Sequence, residues 1–333
     1  MKVHPFLALT TALQIGCGSP EPAATSTGAI AAHYELSKEW PQLPDGSVLG
    51  DPIGIGLDGS QHLWVFCRGE RGWTEPFPHE PIMTNTVLML DRKSGRLIKG
   101  WGAGRFIMPH GLTVDHHDRI WLTDCGLHQV LCFTADGELL LQLGEACMPG
   151  NDSAHFNMPT DVAVAADGSF YVSDGYGNSR VVKFDSTGKY LMRWGAPGSG
   201  EGQFNIPHAI DLDSAGNVYV ADRGNRRVQQ FDATGHFLQL WTDSSMADLY
   251  SVTIDKTRNS PVAVDWLKRD TVIMGSEVWL LGGDGHTGEH FGRSGGYDGP
   301  VCRYHDVCVD EDGSIYVGDI LGDRLQKFAR ASR

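Results

Sequence analysis

Residues 156–195, FNMPTDVAVAADGSFYVSDGYGNSRVVKFDSTGKYLMRWG, hold one complete unit of the architecture. The stretch reads as a strand, an Asp-Gly turn, a second strand ending in Asp174, a polar turn, a third strand, a Gly-containing turn and a fourth strand. The frame recurs at 106–144 and 204–241 and, cut short, at 303–328. In the first strands Leu112 and Val114, or Ile210 and Leu212, alternate with other residues at the period of two that strands require. The second strands do the same, with Ile120 and Leu122 around Trp121 and Val218 and Val220 around Tyr219. Four strands repeated every 40–50 residues or so predict a β-propeller. Working outward, blade one runs from about Ile53 through NTVLMLDRKSGRLIKGW with an insertion near Gly72–Pro81, and blade five is irregular between Leu249 and Gly292. The expected fold is therefore all-β, a six-bladed propeller. The last unit ends at Phe328 after three strands, and HYELSKEW (His33–Trp40) is expected to supply its outer strand, closing the ring and removing free sheet edges.

Three copies carry a histidine at one shared place: His110 in MPHGLTVD, His208 in IPHAIDLD and His305 in RYHDVCVD. Each is followed five residues on by an Asp (Asp115, Asp213, Asp310). The copies between them keep the frame without the histidine, as IGIGLD from Ile53, TDVAVA from Thr160 and YSVTID from Tyr250. The histidines stand 98 and 97 residues apart (110 to 208, 208 to 305), two units each time. In a closed ring of six, alternate units lie a third of a turn apart, so three imidazoles at equivalent strand starts converge on the axis. Three imidazole nitrogens with a fourth place open are the donor set of a catalytic zinc.

Around that axis, Asp124, Asp174, Asp222 and Asp319 end second strands and read as turn-forming and inter-blade hydrogen-bonding residues rather than acids in catalysis. Blade one has Cys67 there, followed by Arg68, and Arg223 follows Asp222 at the same step; Tyr176 falls two after Asp174. Arginines in that register would hold a carboxylate.

The balance of 27 basic against 41 acidic residues, a net charge of −14, argues against nucleic-acid binding. No apolar run of about 18 or more residues marks a membrane-spanning helix. The N-terminus differs in kind: Met1-Lys2, an apolar Phe6–Ile15, Gly16-Cys17, then GSPEPAATSTGA. It reads as a signal peptide over 1–17 with a lipobox-like end, a flexible linker over 18–32, and a propeller over 33–333. The expected location is exported, as a cell-envelope lipoprotein anchored at Cys17 or a secreted protein. The six other cysteines (Cys67, Cys125, Cys132, Cys147, Cys302, Cys308) contain no CxxC pair, which argues against a thiolate zinc site and leaves their pairing open.

The stretches PHGLTVD, WLTDCGLHQV, HFNMPTDVAV, SDGYGNSR, GQFNIPHAIDL, VADRGNRR and HDVCVDEDGSIYVGD together resemble the peptidyl-α-hydroxyglycine α-amidating lyase (peptidylamidoglycolate lyase) family of NHL-repeat propellers. The resemblance implies zinc on His110, His208 and His305, and a structural calcium on the backbone carbonyls of Ile55 and Leu112 with the side chain of Asp306. It implies a carbon–nitrogen lyase that splits peptidyl-α-hydroxyglycine into a peptide amide and glyoxylate, with Tyr176 as base, Arg68 as its cationic partner and Arg223 as a further active-site arginine. The expected ligand is a small peptide or amidoglycolate-type substrate, hydroxylated by a separate enzyme. Departures accompany the match. Arg303-Tyr304 stands where the family has Met-Pro, and two half-cystine pairs of vertebrate members fall at Asn157 with Gly177 and at Tyr219 with Gln230. Two other readings remain open: a non-catalytic NHL-type binding module at the cell envelope, and a metal-dependent hydrolase or lactonase on a six-bladed propeller.

Overall fold

The structure, a computed structural model, describes residues 34–44, 49–60 and 62–331; the leader, Cys17 and His33 lie outside these. Among the described residues, twenty-four strands form six four-stranded antiparallel sheets. Blades one to five each run from the inside outward in chain order. Blade three, for example, is Pro159–Val164, Phe170–Asp174, Arg180–Phe184 and Tyr190–Trp194. In blade six, Tyr34–Leu36 lies antiparallel against Phe328–Arg330 as the outermost strand, so the two ends of the chain share one sheet. Burial falls off along each blade. Phe170–Asp174 is buried throughout, while the outer Tyr190–Trp194 alternates half-buried and exposed. Apolar side chains from adjacent blades interlock between the sheets, as Trp64 and Phe66 of blade one do with Ile120, Leu122 and Phe133 of blade two.

Two local devices position the axis. First, the register slips on the innermost strand of every blade, at Ile53, His110, Thr160, His208, Tyr250 and His305. Such a bulge leaves the residue out of the ladder and redirects its side chain. Second, the buried strand-end aspartates clamp the loop that leads into their own blade. Asp124 accepts the backbone N–H groups of Ile107, Met108, Gly126 and Leu127 at 2.8–3.0 Å. Asp174 takes Arg180 Nε at 2.8 Å, and Asp222 takes Arg227 Nε at 2.7 Å. Asp124→Ala leaves four amide donors of a largely buried loop without their acceptor, so it is expected to lower the unfolding free energy by about 3–5 kcal/mol. Chemical denaturation checks this; a loss under about 1 kcal/mol would mean water satisfies those donors.

Blade five follows the same plan with longer strands. Ser260–Arg269 and Val272–Leu281 run ten residues each and extend past the clamp, leaving Val272, Ile273 and Met274 exposed at the hairpin tip. Its strand-end acid is Asp265, fully buried, which accepts the N–H groups of Ala247 and Glu277 and pairs with Arg293. The aspartates five residues after the histidines sit at the far end of the inner strand. Asp115, for instance, holds the turn amides of His117 and Arg119 and the indole of Trp121.

All six described cysteines named above are free, with Cys147 alone exposed. The two position pairs that the resemblance aligns with half-cystines, Tyr219 with Gln230 and Asn157 with Gly177, are neighbours here and are joined by hydrogen bonds. Gln230 donates to Tyr219 Oη at 2.6 Å across paired strands. Gly177 N–H donates to Asn157 O at 2.9 Å, and the Asn157 side chain fills the space a Cβ at 177 would need.

Candidate metal centre

The three bulged histidines meet. Their ring centroids are 4.7–4.9 Å apart, and one nitrogen from each lies within 4.8 Å of the others. Each ring is anchored from behind by the next blade. His110 Nδ1 donates to Thr160 O at 2.7 Å, His208 Nδ1 to Tyr250 O at 2.5 Å, and His305 Nδ1 to Ile53 O at 2.7 Å. These acceptors are the reference residues of the three histidine-free blades. The alternation therefore has a structural reason: every second unit supplies a ring, and the unit after it supplies a carbonyl. A proton fixed on Nδ1 leaves the Nε2 lone pair for the axis.

Electrostatics agrees. Burial pushes the His110 imidazole down to about 3, and the Arg68 charge adds to the fall. Burial and the neighbouring His110 push His208 and His305 well below the ordinary range. Three neutral nitrogens aimed at one point, in a fixed tautomer, fit a zinc ion with a fourth place left open.

Tyr176 lies across that open side, with Oη 3.2 Å from His110 Nε2 and 3.0 Å from His208 Nε2. Burial raises its phenol above the ordinary value, opposed chiefly by Arg223. Arg223 is also the cation in contact, with Nη1 donating to Tyr176 Oη at 3.3 Å and Nη2 to Tyr250 Oη at 2.7 Å. Arg68 is set further back than its resemblance-implied partnership with Tyr176 suggests. Its Nε donates to Pro109 O at 3.0 Å, Nη1 faces Asp51 at 3.4 Å, and the buried Nη2 has no hydrogen-bond partner. The blade-one insertion folds over this group, placing Trp73 4.9 Å from the Tyr176 ring and 5.2 Å from the Arg68 guanidinium, with Phe77 behind it.

Two further residues join the site: Tyr250, which the sequence offered only as the start of YSVTID, and Arg303, which it offered only as a departure beside the third histidine. Tyr250, fully buried, stacks by His208 and His305 at 5.0 and 5.4 Å. Arg303 donates to Tyr250 Oη at 2.6 Å and lies 4.3 Å over Trp266. Tyr250 is legible only as the blade-five reference residue.

Of the calcium set, Asp306 accepts the N–H of Ile55 at 2.7 Å, the N–H of Val307 at 2.9 Å and Ser251 Oγ at 2.6 Å. Leu112 lies on the adjoining inner strand, against Gly54. Asp161 and Asp211, also on inner strands, come close. Burial raises all three acids, and Asp306 and Asp211 raise Asp161 further. Such crowded carboxylates suit a hard, oxygen-seeking cation.

Comparison with known proteins follows the same line. NHL repeat models match residues 106–133, 156–184 and 204–231. The peptidyl-glycine α-amidating monooxygenase B of Xenopus laevis is 34% identical over 322 residues, covering 89% of this chain and 36% of that protein. The probable peptidyl-α-hydroxyglycine α-amidating lyase of Caenorhabditis elegans is 38% identical over 187 residues, 53% of each chain. The chain thus spans about a third of the first of these relatives and about half of the second. A virginiamycin B lyase from Staphylococcus aureus shares the propeller fold at a TM-score of 0.57 and 14% identity, covering 88% of this chain and 85% of that one. The repeats, the six-bladed ring and these alignments together make the chain a homologue of proteins named peptidyl-α-hydroxyglycine α-amidating lyases, built on an NHL-repeat β-propeller.

Proposed function

We propose that the protein is a zinc-dependent carbon–nitrogen lyase that converts peptidyl-α-hydroxyglycine to a peptide amide and glyoxylate. The observation that carries this reading is the ring of three neutral imidazoles with a tyrosine across its open side and the guanidinium groups of Arg68 and Arg223 beside it. Bound zinc supplies Lewis acidity, which lowers the pKa of a hydroxyl brought to the fourth place. The remaining chemistry belongs to the chain. Tyr176 Oη, ionised first under the charges of Arg223 and of the zinc when bound, receives the α-hydroxyl proton as the O–H electron pair becomes the new C=O bond. The C–N bond breaks, its pair stays on nitrogen, and the same proton passes to the leaving amide. Nothing is oxidised and no water is consumed. Arg223 favours the ionised phenol and, with the free Nη2 of Arg68, holds the substrate carboxylate. Trp73 and Phe77 keep water from the reacting face.

The same proposal assigns a calcium to Asp306 with the carbonyls of Ile55 and Leu112, supported by the crowding of acids there. It also includes export with a lipid on Cys17 and a separate hydroxylating enzyme upstream. The test is product analysis with a peptide ending in α-hydroxyglycine. Peptide amide and glyoxylate should appear in equal amounts; a peptide acid would mean hydrolysis, and no reaction by zinc-replete protein would leave the binding-module reading.

A further inference from the structure

The charges around the metal centre do not balance for a substrate with one carboxylate. Three guanidinium groups border the site: Arg68, Arg223 and Arg303. Arg68 faces Asp51, whose carboxylate also feels the Arg303 charge, but among the described residues neither Arg223 nor Arg303 makes an ion pair within 4.0 Å. Both instead donate to the same oxygen, Tyr250 Oη, at 2.7 and 2.6 Å. A phenol oxygen accepts at most two such bonds, so both lone pairs are used. Arg303 Nε is buried with no hydrogen-bond partner. The group lies over the Trp266 ring at 4.3 Å and over the Tyr250 ring at 5.3 Å, so it is oriented rather than loose. Two like charges sharing one acceptor, partly out of water, repel each other unless an anion joins them. One bidentate arginine suffices for the terminal carboxylate of α-hydroxyglycine. The second cation is left for another anion.

Its direction is set by the opposite wall. Toward blades one to three the site is apolar and aromatic, with Trp73 and Phe77 beside Ile107, Met108 and Met158. Arg223, Arg303 and Trp266 stand on the blade four to six side, while Arg68 of blade one lies behind Trp73.

We infer that Arg303, beside Arg223, forms an anion subsite for a second carboxylate on the acyl side of the scissile bond, so that the substrate is an α-hydroxyglycine joined to an acidic acyl group. The inference rests on the lyase reading for its substrate frame. Arg303 is the residue that determines the preference, and Tyr250 and Trp266 hold it in place.

The test compares two peptides that differ only in Glu or Gln before the α-hydroxyglycine. The wild-type protein should favour the Glu peptide by about tenfold or more in kcat/KM, mostly through KM. R303M should bring the ratio close to one, and R303K should retain part of it. Calorimetry on zinc-loaded protein with unreactive peptides ending in Glu-Gly or Gln-Gly should give the same order without turnover. Equal kcat/KM for the two substrates in the wild-type protein, or a preference that R303M leaves unmoved, overturns the subsite while the lyase reading stands. If neither peptide is turned over, the lyase reading fails, and the calorimetric order alone decides the subsite: tighter Glu-Gly binding that R303M abolishes supports it, and equal binding overturns it.

Discussion

His208→Ala is expected to strip the protein of its metal and its activity together. The substitution removes one of three convergent nitrogens and also leaves the buried Tyr250 carbonyl without its 2.5 Å donor. Losing even an outer hydrogen bond to a ligand weakens metal binding by about 10–100-fold, so losing the ligand itself should exceed that range. Activity depends on the same ion, and kcat/KM should fall by about a thousandfold or more. The measurement is zinc content after dialysis alongside initial rate. Zinc retained at the wild-type level by the variant would refute the axial site. Replacing only the turn residue Asp213, on the same strand, should leave zinc content unchanged, because its partners are the turn amides of Ala215 and Asn217.

Tyr176→Phe is expected to separate the two losses. The phenol touches His110 and His208 but is not one of the three convergent nitrogens, so zinc content should stay at the wild-type level. Proton transfer by a placed group contributes about 10²–10⁴-fold, and kcat should fall by that factor with KM nearly constant. The ring is retained, so packing against Trp73 survives, and a folding defect is not expected to confuse the result. A kcat within about threefold of wild type would remove Tyr176 from the proton path and direct attention to Tyr250.

Much of this was legible in the chain because the repeat makes register visible. A histidine at one reference residue in alternate units fixes both the blade count and the convergence on the axis. What the repeat leaves hidden has specific physical causes. The anchors of the imidazoles are main-chain carbonyls of Thr160, Tyr250 and Ile53, and a carbonyl leaves no mark on residue type. The bulges that free those carbonyls are equally silent. Asp265 escaped notice because its strand continues to Arg269 instead of turning at the acid, as the shorter blades do. Register also suggested equal roles for Arg68 and Arg223, each one step past a strand end. The chain after Arg223 closes into a short 3-10 turn with Arg226 left-handed, and Arg223 reaches Tyr176 and Tyr250. Arg68 instead spends its Nε on the Pro109 carbonyl of blade two. The Arg303 pairing with Tyr250 joins residues 53 apart through a tertiary contact that no local pattern encodes.

The most direct test of the zinc centre is a titration of metal-free protein with zinc while glyoxylate release is followed. Activity should rise from baseline in proportion to added zinc and level off at one ion per chain. Full activity in the metal-free protein, or a rise that continues past one equivalent without a break, would contradict a catalytic ion held by His110, His208 and His305.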